Sequence, residues 1–161
     1  MPGPDEAAFK EALAHFATGV AVVTADTPQG PAGFTCQSFG SLSLTPPLVI
    51  FAARTGGTSW PRIRMAEAVA VNVLRADQRE VAVAFATSDI DKFAGVLHRP
   101  GRTGPPILDG ALMVLEGRIA SVVSHGDHDV AVVEVEHASA ADGEPLVYFR
   151  RQYGTFSERA D

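Results

Sequence analysis

The sequence predicts a mainly β protein, an antiparallel barrel carrying helical insertions. About six or seven β-branched, apolar runs recur along the chain, against two or three short helical patterns. Gly-, Pro- and Asp-containing turns join most of these runs, where a parallel sheet would need regular crossover helices. No G-x-G-x-x-G follows the first strand, which argues against a doubly wound dinucleotide fold.

Taken in order, Asp5 is placed to cap a helix whose Phe9, Leu13 and Phe16 share one face, with Gly19 as its stop. Residues 20–24 read as a strand, 26–31 as a turn rich in Pro and Gly, and 32–39 as a second strand. Leu42, Ser43 and Leu44 alternate, and Pro46 and Pro47 enforce extended backbone before an apolar strand over 48–53. Ser59, Trp60 and Pro61 open a short helix through Glu67, because first-turn N–H groups have no intrahelical partner to lose. Residues 68–74 form the next strand. Asp77 and Glu80 have capping-box spacing for a helix ending at Ala86. Residues 88–110, rich in Gly and Pro, read as irregular. Residues 112–123 and 130–137 are long strands joined by a 124–128 hairpin loop, and 146–149 is a last strand before a polar tail.

A length of 161 residues suits one domain, 1–161, with a real core. The net charge of −6 and the lack of a basic stripe argue against nucleic acid and against anionic membrane surfaces as main partners. The single cysteine, Cys36, excludes an internal disulfide and a Cys-rich metal site. With no apolar run of signal or membrane-spanning length, the expectation is a soluble cytoplasmic protein.

Candidate chemistry concentrates between Gly33 and Trp60. Thr35, Cys36, Gln37 and Ser38 put polar groups on a strand with apolar flanks, where an unpartnered buried polar group costs a few kcal/mol. Either a polar ligand satisfies some of them or they lie on a solvated edge. Beyond the apolar strand come Arg54, Thr55, Gly56, Gly57, Thr58 and Ser59. A Gly-Gly-Thr-Ser turn opening a helix is an anion seat, or a simply capped helix beside a surface arginine. Arg62 and Arg64 add positive charge nearby. Together the two segments describe a seat for a planar polar ring with a phosphate tail. Farther along, His125, Asp127, His128 and Asp129 have the chemistry of metal ligands. Zinc catalysis needs three convergent ligands, however, and neighbouring side chains on a hairpin diverge, so no metal is expected.

Six blocks then occur in one order: Phe16-Ala17-Thr18-Gly19-Val20 with Val22-Val23-Thr24; GFTCQSFGSLSLTPPL from Gly33; Asp91-Lys92-Phe93-Ala94-Gly95; Leu108-Asp109-Gly110-Ala111; Gly126-Asp127-His128; and Tyr148-Phe149-Arg150-Arg151-Gln152-Tyr153-Gly154. From about Phe9 to Tyr153 the chain resembles the flavin reductase components of two-component flavin monooxygenases. The resemblance implies a split β-barrel of Greek-key, antiparallel type and a homodimer with flavin near the subunit interface. It implies NADH or NADPH as electron donor, FMN or FAD as acceptor, and a separate flavin-dependent monooxygenase that receives the reduced flavin. The Cys36-Gln37 pair is most similar to the subgroup serving aromatic, steroid-ring and antibiotic-biosynthesis oxygenases.

Residue by residue, the resemblance assigns Thr35, Cys36, Gln37 and Ser38 to the isoalloxazine edge and Ala53, Arg54, Thr58 and Ser59 to the phosphate. Lys92 and Phe93 fall at the pocket rim, with Phe93 either stacking on a ring or packing into the core. Trp60 lies beside the flavin or anchors its helix. His128 contacts the pyridine nucleotide, while Arg150 and Tyr153 flank its groove, with Arg150 and Arg151 both candidates to face the ligand. Direct hydride transfer needs position rather than a general base, so no catalytic side chain is assigned. The rival readings are a non-catalytic flavin- or haem-binding barrel, a pyridoxal-phosphate-type oxidase and a metal hydrolase.

Overall fold

The computed structural model describes residues 1–159. Its first helix, α1 (Glu6–Leu13), begins where expected, with the Asp5 carboxylate accepting the Ala8 N–H at 2.8 Å. It closes at Ala14, short of Gly19, because the chain turns there into a two-residue strand, β1 (Thr18–Gly19). The apolar face of α1 is left uncovered by the described residues. The helix buries none of its residues, and Phe16 just beyond it is 76% exposed.

β2 (Ala21–Thr27) and β3 (Gly30–Cys36) form a hairpin tighter than the expected turn, with only Pro28 and Gln29 between them. β4 (Gly40–Leu44) and β5 (Pro47–Arg54) form another across Thr45 and Pro46. Their bond is cis, and Pro46 stands third of four in the turn. α2 (Trp60–Ile63) is a single turn, β6 (Val69–Val73) follows, and α3 (Arg79–Ala86) starts after a 3-10 turn at Ala76–Gln78. The capping there differs from expectation. The Gln78 side chain accepts the Arg75 N–H at 2.9 Å, and the Asp77 carboxylate is taken by the Arg75 guanidinium instead. The segment read as irregular contains a small hairpin, β7 (His98–Pro100) with β8 (Pro106–Leu108). β9 (Met113–His125) and β10 (His128–Ala140) run longer than expected, leaving Gly126 and Asp127 as the whole loop. Gly126 has φ +60°, which suits glycine at the first central position. β11 (Leu146–Phe149) is followed by β12 (Gln152–Thr155), where a polar tail was expected.

The main sheet has seven strands in the order β3-β2-β6-β9-β10-β5-β4, all pairs antiparallel. A smaller sheet joins β1, β11 and β12. The architecture is therefore mainly β and antiparallel with few helices, as the sequence predicts. β2 is buried on both faces, so its alternate residues enter two cores. Ala21, Val23 and Ala25 pack with Phe51, Trp60 and Val71, while Val20 and Val22 pack with Phe85, Leu108 and Leu146. Buried Asn72 clips β8 onto this arrangement by accepting the Leu108 N–H and donating to Val22 O and Thr24 Oγ1. No helix among the described residues is long and apolar enough to cross a membrane.

Candidate functional site

The end of β3, the turn after β5, the C-terminus of α3 and the β11–β12 hairpin surround an open cleft of about 860 Å³. Gly33 helps set its depth. A Cβ there would lie 2.6 Å from the Phe85 ring, so glycine lets α3 close over β3.

On one bank, the polar strand residues are mostly committed to the fold. The Thr35 hydroxyl donates to Ala82 O of α3 at 2.7 Å. Ser38 Oγ accepts the Ala52 N–H at 2.8 Å and donates to Ala52 O at 3.0 Å, continuing the ladder along β5 beyond the Gly40–Ile50 pairing with β4. Cys36 is buried, and burial pushes its thiol up to about 12, so it is a neutral filler. Gln37 differs: it is exposed, lines the cleft and has no side-chain partner among the described residues.

The facing bank is open. Alternation along β5 turns Ala53 into the core at 1% exposure, and Ala52 and Arg54 toward the cleft. The Ala53 side chain is thus removed from the predicted contact set. Arg54 is exposed and forms no ion pair among the described residues. After it, Thr55 and Gly57 N–H groups are used by Asp127 O and Arg54 O. Those of Gly56, Thr58 and Ser59 have no intramolecular acceptor among the described residues, and Thr58 and Ser59 line the cleft beside Lys92. All three donors of Lys92 are occupied, by Phe85 O at 3.0 Å and by Gly33 O and Ser59 Oγ at 3.2 Å. Burial pulls its ammonium below the usual lysine range. Lys92 therefore ties the banks together as a structural clamp.

The other expected cations turn elsewhere. Arg62 donates to Thr27 Oγ1 and Gly30 O, and Arg64 pairs with Asp129 at 3.2 Å. Asp129, 1% exposed, also accepts from Ser124 Oγ at 2.6 Å and Trp60 Nε1 at 2.8 Å, and these two hydrogen bonds hold its carboxyl below the usual range. Trp60 packs edge-on against Phe34 and Phe51, so it anchors its helix while also bordering the cleft. Asp129 points inward while His128 faces the cleft, and no group of three or more His, Cys, Asp or Glu among the described residues is placed to hold a metal.

His128 pairs across strands with Arg54 and reaches the cleft edge. Its Nδ1 lies 2.7 Å from Asp127 Oδ1, a hydrogen bond that lowers the Asp127 carboxyl. Phe93 packs against Phe85 at 4.9 Å and His98 at 5.0 Å, outside this cleft. Arg150 also stands apart. With Arg151 it makes the tip of the β11–β12 hairpin, both residues at positive φ. Arg150 lies 5.2 Å over the Phe149 ring and Arg151 pairs with Glu11, so neither arginine lines the cleft. Tyr153 does line it, in company with Tyr148, which the sequence reading missed. The signal was present: a two-residue turn makes residues five apart cross-strand partners, and Tyr148 pairs with Tyr153.

One cleft is thus lined by an arginine without an ion pair, open amide donors, a glutamine amide without a partner among the described residues and two tyrosine rings, a set with the chemistry to take an anionic, ring-bearing molecule. Residues 13–157 match the flavin reductase like domain family, and the chain belongs to that family. It is 40% identical over 152 residues to HsaB, the reductase subunit of a flavin-dependent monooxygenase of Mycobacterium tuberculosis, covering 92% of this chain and 81% of that one. It is 38% identical over 157 residues to the FMN reductase (NADH) SmoA of Agrobacterium fabrum, covering 98% and 90%. The solved structure of the Streptomyces globisporus NADH:FAD oxidoreductase SgcE6, in complex with NAD and FAD fragments, superposes with a TM-score of 0.91. Its identity is 32%, over 98% of this chain and 96% of that one.

Proposed function

We propose that the chain is an NAD(P)H:flavin oxidoreductase that supplies diffusible reduced flavin to a separate monooxygenase. The observation that carries this reading is the open second bank. Arg54 and the free N–H groups of Gly56, Thr58 and Ser59 form a phosphate seat at one end of a cleft whose other wall offers Gln37 for a ring edge.

When bound, the flavin accepts a hydride and the nicotinamide donates it. The protein's part is position. Arg54 forks onto phosphate oxygens, and the turn amides add donors along the same side. The Gln37 amide meets carbonyl and N–H groups of the ring with either of its ends. Hydrogen bonding between His128 Nδ1 and Asp127 Oδ1 fixes the ring and leaves Nε2 for a polar group of the nucleotide. Tyr148 and Tyr153 wall the cleft and restrict water. Few strong contacts suit a flavin that must leave after reduction.

The same reading makes the chain one domain, a cytoplasmic split β-barrel of Greek-key type working as a homodimer. Ser38 bridging from the end of β3 to β5 supports closure of the sheet. The uncovered apolar face of α1, whose Leu13 also lines the cleft, supports a second copy close to the flavin.

Steady-state kinetics with the four nucleotide–flavin pairs tests the proposal. NADH or NADPH oxidation in air should depend on added FMN or FAD, and failure of all four pairs overturns it.

A further inference from the structure

The tip of the β9–β10 hairpin grips the turn after β5 at both of its ends. At the near end, Asp127 O accepts the Thr55 N–H at 3.0 Å and the Thr55 hydroxyl at 3.1 Å. At the far end, the Asp129 carboxylate accepts from Trp60 Nε1 at 2.8 Å. Between these tethers the turn has little of its own to hold it. Gly56 and Gly57 bring no side chains, and one backbone bond, from Gly57 N–H to Arg54 O at 3.1 Å, closes the bend. Ser59 makes no side-chain capping bond, its hydroxyl accepting from Lys92 instead. α2 is a single turn, too short to be stable alone. Yet this stretch carries the Gly56, Thr58 and Ser59 N–H groups that lack intramolecular acceptors among the described residues.

A buried carboxylate is a costly way to anchor a helix. Asp129 is 1% exposed and stands opposite Ala53 of β5, and its indole partner packs against Phe34 and Phe51. An apolar side chain of similar volume would avoid the desolvation penalty there, which Ser124 Oγ at 2.6 Å and Arg64 at 3.2 Å offset in part. What the carboxylate supplies is direction: its hydrogen bond fixes the indole, and with it the path of the chain out of Ser59. We propose that Asp129 is a positioning residue for flavin binding, acting through Trp60 to hold the turn so that its open N–H groups meet the flavin phosphate; the proposal rests on the flavin reductase reading above. The sign of the effect separates geometry from charge. Asp129→Leu removes a negative charge near an anion seat and releases Arg64 from its pair, and both changes alone would tighten phosphate binding. A loss of affinity therefore reports a displaced turn.

Flavin fluorescence titration of the flavin-free protein with riboflavin, FMN and FAD tests this, because riboflavin lacks the phosphate. The margin is the riboflavin Kd divided by that of the tighter of FMN and FAD, and in the wild type it should be about tenfold or more. Asp129→Leu should cut the margin about fivefold with riboflavin affinity little changed. Trp60→Phe should cut it as far, and the double variant Asp129→Leu/Trp60→Phe no further than either single one, because the two residues act as a unit. The double variant also guards against misfolding. It leaves no buried indole N–H without an acceptor, so its melting temperature should stay near that of the wild type. A margin kept in full by Trp60→Phe or by the double variant overturns the proposal, including one kept because riboflavin weakens equally. So does a double variant that loses clearly more than Trp60→Phe, or a wild type with no margin at all. In each of these cases flavin-dependent NADH oxidation by the wild type leaves the reductase reading standing, and its absence removes that reading.

Discussion

The two banks of the main cleft carry similar residue types and use them in opposite ways. On the β3 bank, the Thr35 and Ser38 hydroxyls are bonded to Ala82 and Ala52 and Cys36 is buried, leaving Gln37 as the side chain free to meet a ligand. On the bank after β5, Arg54 and the residues of three backbone N–H groups line the cleft, and these groups have no intramolecular partners among the described residues. A polar residue on a strand is therefore a weak indicator of a binding site until its own hydrogen bonds are accounted for. The first bank should govern stability and the second affinity.

Ser38→Ala should break that division most clearly if it is wrong. It strips a donor and an acceptor from Ala52 at once, so we expect a loss of about 1–3 kcal/mol in chemical denaturation. Flavin affinity, read at a temperature where the variant is folded, should change little. Arg54→Ala should show the converse, a flavin dissociation constant raised about tenfold with the melting temperature of the flavin-free protein unchanged. A Thr35→Val protein should lose about 1 kcal/mol through its bond to α3, again with little effect on affinity.

Cys36 gives the smallest effect and sharpens the comparison by pH. Its thiol is pushed from the ordinary 9.0 up to about 12 by burial. A raised folded value means that the native state holds the proton more tightly. The associated stability is complete below about pH 9 and drains away as pH rises toward about 12. Stability curves of wild type and Cys36→Ala should accordingly diverge in shape only above pH 9, and native Cys36 should resist alkylation that denaturant restores.

Much of the fold was legible in local patterns. The Asp5 cap, the apolar strand β5 and the β9–β10 hairpin follow from local residue patterns. What was missed depended on distant partners. β7 and β8 are short and Pro-rich, and Asn72 and Thr24, from other strands, hold them in place. β12 hides behind Arg150 and Arg151, which adopt positive φ without being glycine. At the site, the turn after β5 was readable because Gly56, Gly57, Thr58 and Ser59 are contiguous in sequence and open a helix, whose first N–H groups lack intrahelical partners. Lys92 lines the cleft but spends its donors on Phe85 O, Gly33 O and Ser59 Oγ, and Arg62 and Arg64, read as positive charge near the anion seat, are taken by Thr27, Gly30 and Asp129; no local pattern records such contacts. Asp129, which fixes Trp60 at the root of the open bank, has the chemistry of a metal ligand beside His125, Asp127 and His128, but neighbours in sequence on a hairpin face opposite ways, and its role in holding Trp60 depends on a distant partner.

The most direct test of the central claim, that this cleft holds a flavin for reduction, is the flavin absorbance under argon after NADH is added with catalytic protein. We predict rapid bleaching that needs the protein, slowed in Arg54→Ala at flavin concentrations below saturation. Flavin that binds yet stays oxidised would contradict the account and leave a passive binder in its place.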